Sequence, residues 1–152
     1  MTDALSHVTV GVARMADALD LWVGRFGLEV VGARDGADPA LAALWGLEPG
    51  RIAAQRLLRT PGARSGALHL VAFRDPGPPV RAGAAATDLC PKSIDVNCTD
   101  MPARVAELRA AGCTFRMPVS EYEVDGLRAR EAQMTGPDET NIVLIEIFGD
   151  DL

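Results

Sequence analysis

Two runs decide how this chain is read: Ser6-His7-Val8-Thr9-Val10-Gly11-Val12 and Gly66-Ala67-Leu68-His69-Leu70-Val71. Strand side chains alternate between the two faces of a sheet. In the first run Val8, Val10 and Val12 share one face, and His7 and Thr9 share the other. In the second, Leu68 and Leu70 flank His69 in the same way. The chain has only 2 histidines, and both lie on the face turned away from the apolar side. If the two strands share one sheet, both imidazoles meet over one hollow, where a reaction or a ligand belongs.

Working outward, the first strand covers about residues 5–12. A helical stretch follows from Met15 to about Phe26, with Met15, Leu19, Trp22, Val23 and Phe26 at helical spacing. Gly27 is a stop signal, and Leu28 to Val31 reads as a second strand. A short apolar turn, Leu41 to Trp45, sits among Asp-Gly, Asp-Pro and Pro-Gly punctuation. Arg51 to Thr60 and Ala67 to Phe73 read as strands joined through Pro61-Gly62.

The order then repeats. Ser93 to Cys98 alternates like the first strand. Met101 to Ala111 is helical, with Met101, Val105 and Leu108 on one face and Gly112 at its end. Cys113 to Met117, Leu127 to Thr135 and Asn141 to Phe148 read as strands. Glu121-Tyr122-Glu123 falls in a connection and reads as a solvated loop, from which Tyr122 could reach in as a lid. The expected organisation is one domain over 1–152: module one at about 1–75, a Pro/Gly-rich linker at about 76–90, and module two at about 91–152. A module this small buries too little apolar surface by itself. Pairing two βαβββ modules in an α+β fold predicts a curved mixed sheet with helices on the convex side and a concave cavity.

Bulk composition limits the function. The chain has 152 residues, 48% hydrophobic and 24% charged, with a net charge of -6. That charge argues against nucleic acid. No apolar stretch is long enough to span a bilayer, and the N-terminus lacks secretory-signal features. The 3 cysteines, Cys90, Cys98 and Cys113, have no CxxC spacing and read as reduced thiols of a cytoplasmic protein. GxGxxG, GxxxxGK[ST] and GxSxG motifs are missing from the sequence. Cys98 lies on the helix-facing side of its strand, which argues against a nucleophile.

The two-module plan resembles the vicinal oxygen chelate superfamily, which includes glyoxalase I, methylmalonyl-CoA epimerase, extradiol dioxygenases, fosfomycin-resistance enzymes and bleomycin-binding proteins. The resemblance is carried by Leu5-Ser6-His7-Val8-Thr9-Val10 ahead of Arg25-Phe26-Gly27-Leu28, by Val105-Ala106-Glu107-Leu108-Arg109-Ala110-Ala111-Gly112, and by Gly136-Pro137-Asp138 before a strand with Glu146. It covers nearly the whole chain. It implies ligand places on the first and fourth strands of each module, here His7, His69, Ser93 and Glu146. The second place is usually Glu or Gln and the third usually His. Glu146 follows from aligning the last strand by its apolar flanks; aligning from the Pro137-Asp138 turn moves the place to about Leu144.

Two readings of this site remain open. In one, His7, His69 and Glu146 hold a divalent ion (Fe, Mn, Zn, Co or Ni) that acts as a Lewis acid on two neighbouring substrate oxygens. In the other the ion has been lost, as Ser93 suggests, and the histidines bind a ligand or serve as acid and base. Ser93, Asp95, Gln55 and Tyr122 are further pocket residues; for Gln55, Arg59, Glu131 and Gln133 a rim or solvent position competes with that role. Trp22 and Trp45 read as packing residues. The expected function is an isomerase, epimerase or lyase acting on an oxygenated small molecule through metal-assisted or His-assisted proton transfer. The alternatives are an Fe(II)-dependent dioxygenase and a metal-free drug- or metabolite-binding protein. The resemblance also implies a homodimer.

Overall fold

The computed structural model describes residues 6–79, 81–85 and 93–148. Leu5, Cys90 and the 86–90 part of the expected linker lie outside the described residues. The chain divides into two compact units, Met1–Pro78 and Pro79–Leu152. Each unit contains a mixed sheet with helices, so the fold class is α+β as expected.

The first unit runs β1 (His7–Val12), α1 (Met15–Leu19), β2 (Glu29–Asp35), α2 (Pro39–Leu44), β3 (Ile52–Arg59) and β4 (Ala67–Phe73). α1 continues as a π-helical stretch over Asp20–Arg25, in which Phe26 N–H reaches back to Leu21 O at 2.9 Å. Gly27, at φ 73°, ends it as expected, because a residue without Cβ enters the left-handed region freely. The strand order is β1-β4-β3-β2, with β1 and β4 parallel and the other pairs antiparallel.

Two elements of this unit differ from the sequence reading. β2 extends to Asp35, four residues past the expected end, with a bulge between Val30 and Gly32. The apolar turn at Leu41–Trp45 is instead part of a helix. Asp38 caps α2 by accepting from Leu41 N–H, and Pro39 supplies the preset φ of a first helical residue. Asp-Pro is therefore a helix start here rather than a turn.

Register sets what shares a face. One lateral row of the sheet holds Thr9, His69, Leu57 and Gly32. The next holds Gly11, Val71, Gln55 and Arg34. The α2 residue Ala42 packs on Ile52 and Val71, with Leu41, Leu47 and Phe73 around them. α2 thus covers one end of the histidine face and leaves His69 beyond its last turn. On the opposite face Leu58, Leu68 and Leu70 are buried, and α1 packs against β4.

The second unit runs β5 (Ile94–Asn97), α3 (Met101–Ala110), β6 (Thr114–Phe115), β7 (Ser120–Val124), β8 (Leu127–Thr135) and β9 (Asn141–Phe148). Its strand order is β5-β9-β8-β6, and β7 also pairs with β8. Met101, Val105 and Leu108 form the buried side of α3, as their spacing predicts. Ile142 and Leu144 of β9 and Ala132 and Met134 of β8 are fully buried with them. The expected loop at Glu121–Glu123 is instead the edge strand β7. Asp125 and Gly126 both have positive φ, which suits the two-residue turn joining β7 to β8. Glu121 pairs with Arg128 at 2.6 Å and with Arg130 at 3.1 Å across that hairpin.

Among the described residues no helix is long and apolar enough to cross a membrane.

Candidate functional site

The two histidines meet within the first unit. His7 ends the row that also holds Ala67, and His69 lies diagonally across from it on the adjacent strand β4. The rings approach edge to face, with centroids 5.8 Å apart and planes at 78°. Trp45, just past α2, flanks His69 on the far side at 6.4 Å. It is 37% exposed and is not the simple packing residue that its apolar surroundings suggest. His7 Nδ1 lies 3.0 Å from the Ser6 hydroxyl.

A hydrogen-bond chain fixes the state of His69. Asp38 accepts from Gln55 Nε2 at 3.0 Å, and only an acceptor faces the amide there, so the amide nitrogen must point to Asp38. Gln55 Oε1 then points to His69 Nε2 at 3.1 Å and can only accept. His69 therefore carries its proton on Nε2. Its Nδ1 lone pair is left facing the Thr9 hydroxyl, which donates across a loose 3.3 Å. Arg34 holds the far end of the chain through an ion pair to Asp38 at 2.9 Å.

Electrostatics agree with this assignment. Burial pushes the His69 imidazole below its ordinary value of 6.5, and the neighbouring His7 ring pushes in the same direction. His69 is thus neutral at neutral pH. The amide of Gln55 and the amide N–H of Leu41, with Arg34, hold the Asp38 carboxyl below its ordinary range. Gln55 is 9% exposed and belongs to the site rather than to a rim. Asp38 escaped the sequence reading altogether. Its only legible signal there is Asp-Pro as a helix start.

The second unit places the other expected residues differently. Ser93 donates to Asp95 at 2.6 Å, and Asp95 and Asn97 lie on the β5 face that carries Val143 and Ile145 of β9. Tyr122 stands on edge strand β7 opposite Ala129, 40% exposed. Glu146 lies on the other face, that of Ile142 and Leu144, which packs against α3. Its carboxylate accepts from Asp100 N–H at 2.7 Å and Met101 N–H at 3.2 Å, at the start of α3. Arg130 adds a charged contact at 3.4 Å. Unpaired amides and the positive end of the helix dipole favour a carboxylate at that place.

This corrects the alignment of the two modules. Thr9 stands across from His69 in the first unit. Asp95, the counterpart of Thr9, stands across from Val143 in the second. The counterpart of His69 is therefore Val143 and not Glu146. The error is three residues, an odd number, so it also changes face. Cys98 is half-buried beside Met101, with its sulfur 3.9 Å from the thioether sulfur. Burial, and then the Glu146 charge, raise its thiol above the ordinary value, which suits no nucleophile.

The donor set decides whether a divalent ion fits. In the first unit two imidazoles face each other, but the nearest carboxylate on their chain, Asp38, is separated from them by an amide and paired to Arg34. At the fourth strand of the second unit the matching place is an alkyl side chain. Among the described residues no group of three or more His, Cys, Asp or Glu side chains could hold a metal ion. These residues do not fit the expected ion.

No protein-family model matches the chain, and no curated protein matches its sequence. Solved structures do match its fold. A glyoxalase family protein from Bacillus cereus superposes with a TM-score of 0.80 at 19% identity, covering 95% of this chain and 94% of that one. A glyoxalase family protein from Enterococcus faecalis gives 0.66 at 15% identity, with 94% and 97% covered. The trypanothione-dependent glyoxalase I of Leishmania major gives 0.62 at 17% identity, with 95% and 87% covered. The architecture of this chain is the glyoxalase fold.

Proposed function

We propose that the histidine face of the first unit binds a small oxygenated organic molecule and moves a proton on it, in an isomerase or epimerase reaction that uses His69 as base. The observation that carries this reading is the chain Asp38–Gln55–His69. It fixes the proton on Nε2 and leaves Nδ1 as the acceptor, while burial disfavours the charged ring. A base needs its lone pair within reach of the proton it removes. Substrate would displace the Thr9 hydroxyl, the weakest contact of the ring. Nδ1 then takes a proton from a carbon beside a carbonyl, and the electron pair stays on the substrate as an enolate. Return of a proton to that carbon or its neighbour, from His69 or from the adjacent His7, completes the isomerisation.

The amide acceptor stabilises an imidazolium less than a carboxylate would. Partial burial disfavours it further. His69 is therefore a weak base, and the carbon it addresses must be well activated by a neighbouring carbonyl.

A second reading is a metal-free binder of a drug or metabolite. It is favoured by Trp45, whose half-open ring beside His69 offers a wall for a planar group. Solvent-deuterium wash-in separates the two. Carbonyl compounds incubated with the protein in deuterated buffer should exchange hydrogen next to the carbonyl, and His69→Gln should abolish this. Binding of such compounds without exchange would replace the enzyme reading by the binding one. A homodimer in the cytoplasm remains part of the proposal, because open sheet edges benefit from cover.

A further inference from the structure

Arg59 closes β3 on the same face as Gln55 and Leu57, since residues two apart share a face. Leu57 is directly opposite His69, so Arg59 is a diagonal neighbour of His69. Such a diagonal spans about 7–8 Å, within reach of long side chains. Continuing the register by one residue past Leu58–Leu68 sets Arg59 beside Ala67, which is itself opposite His7. Arg59 therefore shares a lateral row with His7, with the small side chain of Ala67 between them.

The other arginines within the strands of this sheet are accounted for: Arg34 pairs with Asp38, and Arg56 with Asp35. Arg59 is different. Glu29 stands opposite it in β2, yet no ion pair joins them, and among the described residues the Arg59 side chain makes no hydrogen bond or ion pair. Its Nε is buried and has no hydrogen-bond partner. Buried N–H donors are nearly always satisfied, so an unsatisfied one calls for a missing acceptor. A guanidinium offers paired donors in a planar fork that matches a carboxylate. The chain's net charge is -6, so attraction for an anion must be local, and Arg59 supplies it beside the base.

We infer that Arg59 anchors a substrate carboxylate, so that the molecule handled on the histidine face is a small organic acid whose activating carbonyl adjoins the carboxylate Arg59 holds. The inference rests on the proposed function and names its substrate class. A single guanidinium matches one negative charge, which favours a carboxylate over a phosphate. Arg59 fixes the acid end, and His69 Nδ1 addresses the carbon beyond the adjoining carbonyl.

The test uses the intact chain with labelled histidine rings. Because both histidines are in the site, every imidazole signal is informative. 2-Oxobutanoate should shift both ring signals and bind at least about tenfold more tightly than its methyl ester, which lacks the charge. Arg59→Gln should lower acid binding to the level of the ester, and Arg59→Lys should restore part of it. Inorganic phosphate should compete poorly. Equal binding of acid and ester, tighter binding of phosphate, undiminished acid binding by Arg59→Gln, or no ring shift at tens of millimolar would each overturn the assignment. Should Arg59→Gln not fold, the acid–ester comparison in the intact chain and Arg59→Lys still decide. Acid-selective binding without deuterium exchange would sink the proposed reaction and leave this anchor standing. Exchange that proceeds equally on the ester would do the reverse.

Discussion

The amide oxygen of Gln55 accepts from Nε2 of His69 at 3.1 Å, and the same amide's nitrogen is spoken for by Asp38. One side chain on β3 thereby sets which nitrogen of a ring on β4 is free to react. Replacing Gln55 by Leu removes that constraint and leaves part of Asp38 without its donor. The variant should lose about 1–3 kcal/mol of stability, the cost of stranding buried polar groups. Nitrogen shifts of the His69 ring should change from a single Nε2–H tautomer to a mixture. A ring that keeps one tautomer in Gln55→Leu would show that the amide does not control it.

Stability should depend on His69 in a defined pH window. Its pKa in the folded chain is depressed below the ordinary 6.5. Above 6.5 both folded and unfolded chains hold it neutral, and it contributes no slope. Below 6.5 the unfolded chain takes up the proton first, so stability falls as pH drops, until the folded-state pKa is passed. Asp38 and Glu121, also depressed, act only below their ordinary values of 3.8 and 4.5. Melting between pH 7.5 and 5 should therefore fall less steeply in His69→Gln than in the parent. Parallel curves would argue against a buried neutral imidazole.

Trp45 offers an optical reading of the same ring. Its indole lies 6.4 Å from His69, whereas Trp22, the other tryptophan, lies on the π-helical continuation of α1 and is buried against Phe26. In a Trp22→Phe chain, the remaining emission should change as His69 gains its proton, because a cation beside an indole face alters it. The midpoint should lie below pH 6.5. A midpoint at or above that value would contradict the desolvation of the ring.

Glu146 should matter for folding and not for turnover. It accepts two amide bonds at the start of α3 and meets Arg130. Glu146→Ala should cost about 1–2 kcal/mol, the range of a lost helix-start acceptor. Denaturant titration should show the loss, with Glu146→Gln losing less. A collapse of activity at unchanged stability would return Glu146 to the chemistry.

Much of the fold was legible in the chain. The strands at Ala67–Phe73 and Asn141–Phe148, and the buried stripe Met101, Val105 and Leu108, follow from local periodicity, which the backbone obeys within one element. Gly27 and Gly112 marked helix ends for the same local reason. β7 is not legible as a strand although Asp125-Gly126 is a hairpin signal, because two of its five residues are charged and only cross-strand pairing with Arg128 and Arg130 makes them a strand. α2 was read as a turn because Asp-Pro serves both turns and helix starts, and only the Asp38 cap distinguishes them.

Of the site, the sequence alone determined that His7 and His69 lie on one kind of face, since alternation is a property of the single strand. It could not determine that Gln55 bonds His69, that Asp38 stands behind Gln55, or that Val143 rather than Glu146 answers to His69. Those facts depend on register between strands far apart in the chain, and on a helix folding back over the sheet. A shift of one residue in either direction exchanges the two faces, and no local preference forbids it. Tertiary packing chose the register, because only one choice buries Ile142 and Leu144 against α3 and leaves the Glu146 carboxylate on amides that need an acceptor.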